Sequence, residues 1–178
     1  MTLNYEELNE KFKARQKRER DYIDKCTSFA FGVAESVRDL IDAPEKFEVR
    51  EANSKYNKPY VGLMASDEDG AATAVRFQPD AVQIDSDGTV RFAVYVTFEQ
   101  SPNAYPKRTL PVPLWCRLNS SEIEVRFRHT KKTFNNDEKE HSQLFCAKEV
   151  IAEVERYLDA TQDEFFTNKT IGFDVSKG

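Results

Sequence analysis

Residues 81–99 read AVQIDSDGTVRFAVYVTFE, and the fold turns on them. Asp87-Gly88 lies between two apolar runs and is a strong two-residue hairpin signal. It joins a strand over Ala81–Asp85 to a longer one over Thr89–Glu99. In the longer strand Phe92, Val94, Val96 and Phe98 share one face. Arg91, Ala93, Tyr95 and Thr97 share the other. Such alternation predicts a sheet with one covered face and one wet face, the antiparallel habit.

Toward the C-terminus, 101–107 reads as a loop with Pro102 and Pro106. Leu110, Val112, Leu114, Cys116 and Leu118 then alternate with Thr109, Pro111, Pro113, Trp115 and Arg117. Prolines two apart leave one side of this strand without amide donors, so its start is predicted to be a sheet edge. After a turn at Asn119-Ser120-Ser121, Glu122–His129 sends Ile123, Val125 and Phe127 inward and Glu122, Glu124, Arg126 and Arg128 outward. Thr130–Asn136 reads as a basic polar loop. Asp137 is placed to cap a helix over Glu138–Ala160, whose seam is Leu144, Ala147, Ile151, Val154 and Leu158, widened by Val150 and Tyr157. Phe165-Phe166 and Ile171-Gly172-Phe173 close the chain.

Toward the N-terminus, Asp69-Gly70 predicts a second hairpin between Tyr60–Ala65 and Ala72–Phe77. Asn57-Lys58-Pro59 breaks the chain before it, and Lys46–Glu51 alternates as a strand. Residues 3–42 read as one helix, with Thr2 able to cap it and Glu6 and Glu7 in its first turn. Tyr22, Cys26, Phe29, Val33, Val37 and Leu40 make a stripe that Tyr5, Leu8 and Phe12 continue. Residues 15–20 carry no apolar side chain, so the helix is expected to dock through its second half. Residues 1–21 then form a projecting basic extension, unless the helix breaks near Thr27-Ser28 and folds back. The expectation is a single α+β domain over 1–178: a long N-terminal helix, an antiparallel meander of about five or six strands, and a C-terminal helix packed on one sheet face.

Tyr105-Pro106 with Pro111 and Pro113 is similar to the Tyr-Pro loop of ubiquitin-conjugating-enzyme-like domains. The family's proline spacing is not reproduced, and no cysteine follows in the corresponding loop. No residue or activity is carried over.

Composition narrows the function classes. The 178 residues are 39% hydrophobic, enough for a core and too much for a disordered chain. No apolar run is long enough to cross a membrane, and the acidic N-terminus lacks a leader's apolar core. Cys26, Cys116 and Cys146 form no CxxC pair and sit among apolar neighbours, as in a reduced, cytoplasmic protein. The six glycines supply neither nucleotide loop, so no cofactor is expected. His129 and His141 have no motif around them, and Asp85-Ser86-Asp87-Gly88 lacks the outer ligands of a calcium loop, so no metal or catalytic residue is assigned.

Charge is uneven. Residues 107–132 hold seven basic groups against two acids, residues 11–20 six against one, and residues 133–178 five against ten acids. The function expected is non-enzymatic binding of a protein partner, or of a second copy as a homodimer, in an adaptor, inhibitor or regulatory role. Two surfaces are candidates. One is the outward sheet face with Trp115, Arg117, Arg126 and Arg128, extended by Lys131 and Lys132. The other is the first helix, with Tyr5, Leu8, Phe12, Arg15 and Arg18. Nucleic acid on the same basic face is the alternative. A net charge of −5 weighs against it. A small-molecule pocket between helix and sheet is the third reading.

Overall fold

A computed structural model describes residues 4–51, 54–101, 107–128 and 130–160. Helix α1 (Tyr5–Leu40) leads into β1 (Lys46–Glu51), β2 (Ser54–Pro59), β3 (Val61–Ser66) and the two-residue β4 (Ala72–Thr73). Then come β5 (Gln83–Ile84), β6 (Val90–Phe98), β7 (Arg108–Leu118), β8 (Glu122–Arg126), β9 (Lys131–Asn135) and α2 (Lys139–Asp159). The α+β expectation holds, with more strands than anticipated. Seven of them form an antiparallel sheet in the order β4-β3-β6-β7-β8-β9, with β5 also pairing β6, and β1-β2 is a separate ribbon.

Both hairpin signals are turns, with Gly70 at φ 85° and Gly88 at φ 82°. The edge predicted at the start of β7 is present: β8 pairs only Trp115–Leu118, whereas β6 pairs β7 from Arg108 to Cys116. Two strands lay outside the sequence expectation. β2 (SKYNKP) has no apolar alternation, because it pairs only with β1 and is largely exposed. β9, read as a loop, is an edge strand whose one buried residue is Phe134. Lysines suit such an edge because they discourage further pairing.

Helix α1 is unbroken through Thr27-Ser28. Its cap is Asn4, not Thr2, which lies outside the described residues: the Asn4 side chain accepts from the Glu7 N–H at 2.9 Å, and Glu7 accepts from the Asn4 N–H at 3.1 Å. The helix ends with Asp42 at φ 49° and the Ala43 N–H donating back to the Arg38 carbonyl, just before Pro44. Cys26, Phe29, Ala30, Val33, Ala34 and Val37 are buried against the sheet and α2. Leu40, counted in the stripe, is exposed. Gly32 lies where α2 crosses: a Cβ there would meet the Gln143 side chain, whose amide donates to the Phe29 carbonyl at 3.3 Å. Of the expected α2 seam, Ala147, Val150 and Val154 are buried and Ile151 and Tyr157 pack against the core, while Leu144 and Leu158 are exposed and Ser142 and Cys146 are buried in addition. Asp137 does not cap the second helix: it lies in a 3-10 turn over Asn136–Glu138, closed by a capping box between Asn135 and Glu138, and α2 follows from Glu138 without a side-chain cap.

The opposite sheet face is not wholly wet. Met64, Ala93 and Tyr95 are buried there with Ala72 packed against them. Gly62 makes room for the Tyr95 ring, and the Gln78 amide bonds both the N–H (2.6 Å) and the carbonyl (3.2 Å) of Leu63, closing the β3 edge. A Cβ at Gly62 would lie 2.7 Å from Tyr95 Oη and 2.8 Å from Gln78 Oε1. Tyr95 is 1% exposed and has nowhere to swing. Gly62→Ala is therefore expected to cost about 1–3 kcal/mol, read as a lowered midpoint in a thermal melt.

Candidate interaction surfaces

Register builds a row across the outer sheet face. Trp115 on β7 pairs with Arg91 on β6 and with Arg126 on β8, and Arg126 pairs with Lys131 on β9. The Arg126 guanidinium lies 5.5 Å from the Trp115 ring centroid, a cation–π arrangement. One step along, Arg117 stands opposite Glu124. The row borders a groove of about 320 Å³, also lined by Glu68, Asp85 and Asp87.

The face that reads as basic is largely neutralised. Arg117 Nη2 is 2.6 Å from Asp87 and 3.2 Å from the Thr89 hydroxyl, Arg91 pairs with Asp85, and Lys131 Nζ is 3.0 Å from Glu124. Four carboxylates line the groove against three guanidiniums. Among the described residues Arg126 has no ion pair, and its guanidinium lies over the Trp115 indole. Sequence reasoning placed Arg91 on this face without naming it as a candidate. Its outward position on β6 was the signal.

The structure separates two residues from the group. Lys132 pairs with inward-facing Val125 and lies 5.0 and 4.7 Å from the ring centroids of Phe134 and Phe145, on the helix side of the sheet. Alternation along β9 dictates this, since adjacent strand residues point to opposite faces. Arg128 lies beyond the end of β8. It lines a different groove with Pro111, Pro113, Glu153 and Tyr157, between the β7 edge and α2. That groove holds about 50 Å³, far below a drug-sized ligand's volume.

The second surface is the first half of α1. Every residue from 10 to 21 is exposed. Tyr5 is 80% exposed, Leu8 51% and Phe12 57%. With 3.6 residues per turn these three fall on the line that Cys26, Phe29 and Val33 bury further along the helix. The same face is thus apolar in both halves, interrupted between Phe12 and Tyr22, and only the second half is covered. Arg15 and Glu19 on the next turns pair with each other at 2.8 Å. The helix leaves the body where the Tyr22 hydroxyl donates to the Gly88 carbonyl at 2.7 Å and Lys25 Nζ donates to Asn119 and Asn136. Burial pushes the Tyr22 pKa up to about 12, aided by Cys26, so the hydroxyl remains a donor across the neutral range. Gly88 follows Asp87, which pairs with Arg117, so the helix root and the groove adjoin through one turn.

The remaining chemistry is quiet. Cys26, Cys116 and Cys146 are buried free thiols, and burial raises the pKa of each. His141 is exposed, while His129 and the aromatic pairs after Ala160 lie outside the described residues. Among the described residues no group of His, Cys, Asp or Glu is arranged to hold a metal ion, and no helix is long and apolar enough to cross a membrane. The chain matches no family model, no curated protein and no solved structure.

Asp87 reports on the turn that links the two surfaces. Its carboxylate accepts from the Thr89 N–H at 2.9 Å and the Thr89 hydroxyl at 3.0 Å, and these bonds, ahead of Arg117, hold its pKa below the usual range. A depressed carboxylate stabilises the fold above its ordinary pKa and loses that contribution as pH falls through the folded value. An NMR titration is expected to find Asp87 ionising below the ordinary aspartate range, with Thr89→Val moving it upward.

Proposed function

We propose that this chain is a protein-interaction module. It docks a partner with the first half of α1 and uses the groove around Trp115 and Arg126 as an adjoining second contact. The observation that carries the reading is a helix face that is apolar at both ends, buried from Cys26 onward and bare at Tyr5, Leu8 and Phe12. An amphipathic helix presenting anchors at this spacing is a common mode of helix-in-groove recognition. The paired state of Arg91, Arg117 and Lys131 favours protein over nucleic acid on the sheet face, because binding phosphate needs uncommitted cations. An adaptor, inhibitor or regulatory role is consistent with such a module.

The test compares tagged native chain with a Leu8→Asp, Phe12→Asp double variant in nuclease-treated lysate of the source cell. Both positions are exposed, so the variant is expected to fold with a melting midpoint close to native. The native chain is expected to recover protein that the variant loses. Identical recovery by the two would overturn the proposal. Recovery that disappears with nuclease would favour nucleic acid instead.

A further inference from the structure

We infer that the β1–β2 ribbon is a hinged arm that opens as a unit of its own, latched at its root by the buried ammonium of Lys107. The ribbon pairs with no other strand. A lone two-stranded ribbon is at best marginally stable in water, so a contact outside it must hold it in place. From Lys46 to Pro59 the one buried side chain among the described residues is Phe47. It pairs with Lys58, one step from the Lys46–Pro59 pair at the root.

Phe47 does not join the apolar core. Phe47 and Tyr60 are both buried, yet both stand outside the two buried clusters of the sheet. Their rings meet edge-on with centroids 4.8 Å apart. Tyr60 is fixed to the sheet, since its carbonyl accepts from the Thr97 N–H at 2.8 Å. Lys107 Nζ lies 4.7 Å from the Phe47 centroid and 5.6 Å from that of Tyr60. The Lys107 side chain is only 7% exposed, and its ammonium pairs with Glu99, which also accepts from the Tyr60 hydroxyl at 2.7 Å. Glu99 and Lys107 flank the Phe98–Arg108 pair, so the register of β6 on β7 sets them in place. One cation thus ties the sheet to the buried ring of the ribbon. An ammonium held over a ring away from water attracts it more strongly than an exposed one. The ribbon's other cation contact, Lys58 over the Tyr95 ring at 5.6 Å, comes from a partly exposed side chain.

The latch sits beside a groove. Glu45, Lys46 and Pro59 form one wall of a space of about 180 Å³ whose other wall includes Phe31, Ala34 and Val61. Holding Phe47 holds that wall, and releasing it lets the root swing away and widens the groove.

Amide hydrogen exchange of the full chain tests the arm. Amides bonded across the ribbon are expected to exchange faster than those of β6, through an opening that low denaturant does not accelerate. Lys107→Met with Glu99→Gln removes the ammonium without leaving a buried carboxylate unpaired. This variant is expected to speed ribbon exchange about tenfold or more, with the ribbon still ahead of β6. Attenuation of the Ala34 and Val61 methyl signals by a soluble gadolinium chelate is expected to rise with it. Native ribbon amides that exchange in step with β6 would overturn the arm, whether or not the variant folds. Ribbon exchange that is unchanged in the variant, or merged with that of β6, would overturn the latch. Unchanged attenuation at Ala34 and Val61 would overturn its hold on the groove.

Discussion

The burial of the second half of α1 against the sheet and α2 is the constraint on which the rest depends. At 1.5 Å per residue a 36-residue helix is ~54 Å long. A compact domain of this chain length has a radius of gyration of only ~16 Å. The sheet can therefore cover part of such a helix and no more. Nothing in the sequence from Tyr5 to Leu40 interrupts it, and the Asn4–Glu7 capping box starts it well outside the body. An unbroken helix of this length, with apolar residues on one face at both ends, must leave one of those ends bare.

That geometry organises the neighbouring surface. The helix departs over the turn at Gly88, gripped by Tyr22, and the same turn carries Asp87 to Arg117. From there the register of β6, β7 and β8 sets Arg91, Trp115 and Arg126 side by side. The carboxylates of the β5–β6 hairpin take up two of the three guanidiniums. What remains is an indole with one cation over it that has no ion pair among the described residues, at the foot of a helix that leaves Tyr5, Leu8 and Phe12 bare.

Much of this was legible in the sequence where the signal was local. Asp69-Gly70 and Asp87-Gly88 marked their turns, the proline pair marked the β7 edge, and the stripe from Tyr5 to Val37 marked α1. The failures share a cause. β2 and β9 are strands with little to bury, so alternation, which reads burial, could not reveal them. On α2 the seam was right at Ala147, Val150 and Val154 but included Leu144 and Leu158 and missed Ser142 and Cys146, because Leu outweighs Ser and Cys on a hydrophobic scale. Lys132 joined the wrong face because a loop has no parity and a strand does. The pairing of Arg117 with Asp87 spans 30 residues of sequence and needs the register of β6 on β7 before it can be seen.

Amide hydrogen exchange along α1 in the full chain tests the central claim most directly. The account predicts two regimes within one helix. Amides from Cys26 to Val37 should exchange only with global unfolding, and those from Leu8 to Arg20 should exchange orders of magnitude faster through local fraying. Uniform slow exchange from Leu8 to Val37 would mean that the first half is already covered, and would contradict the account.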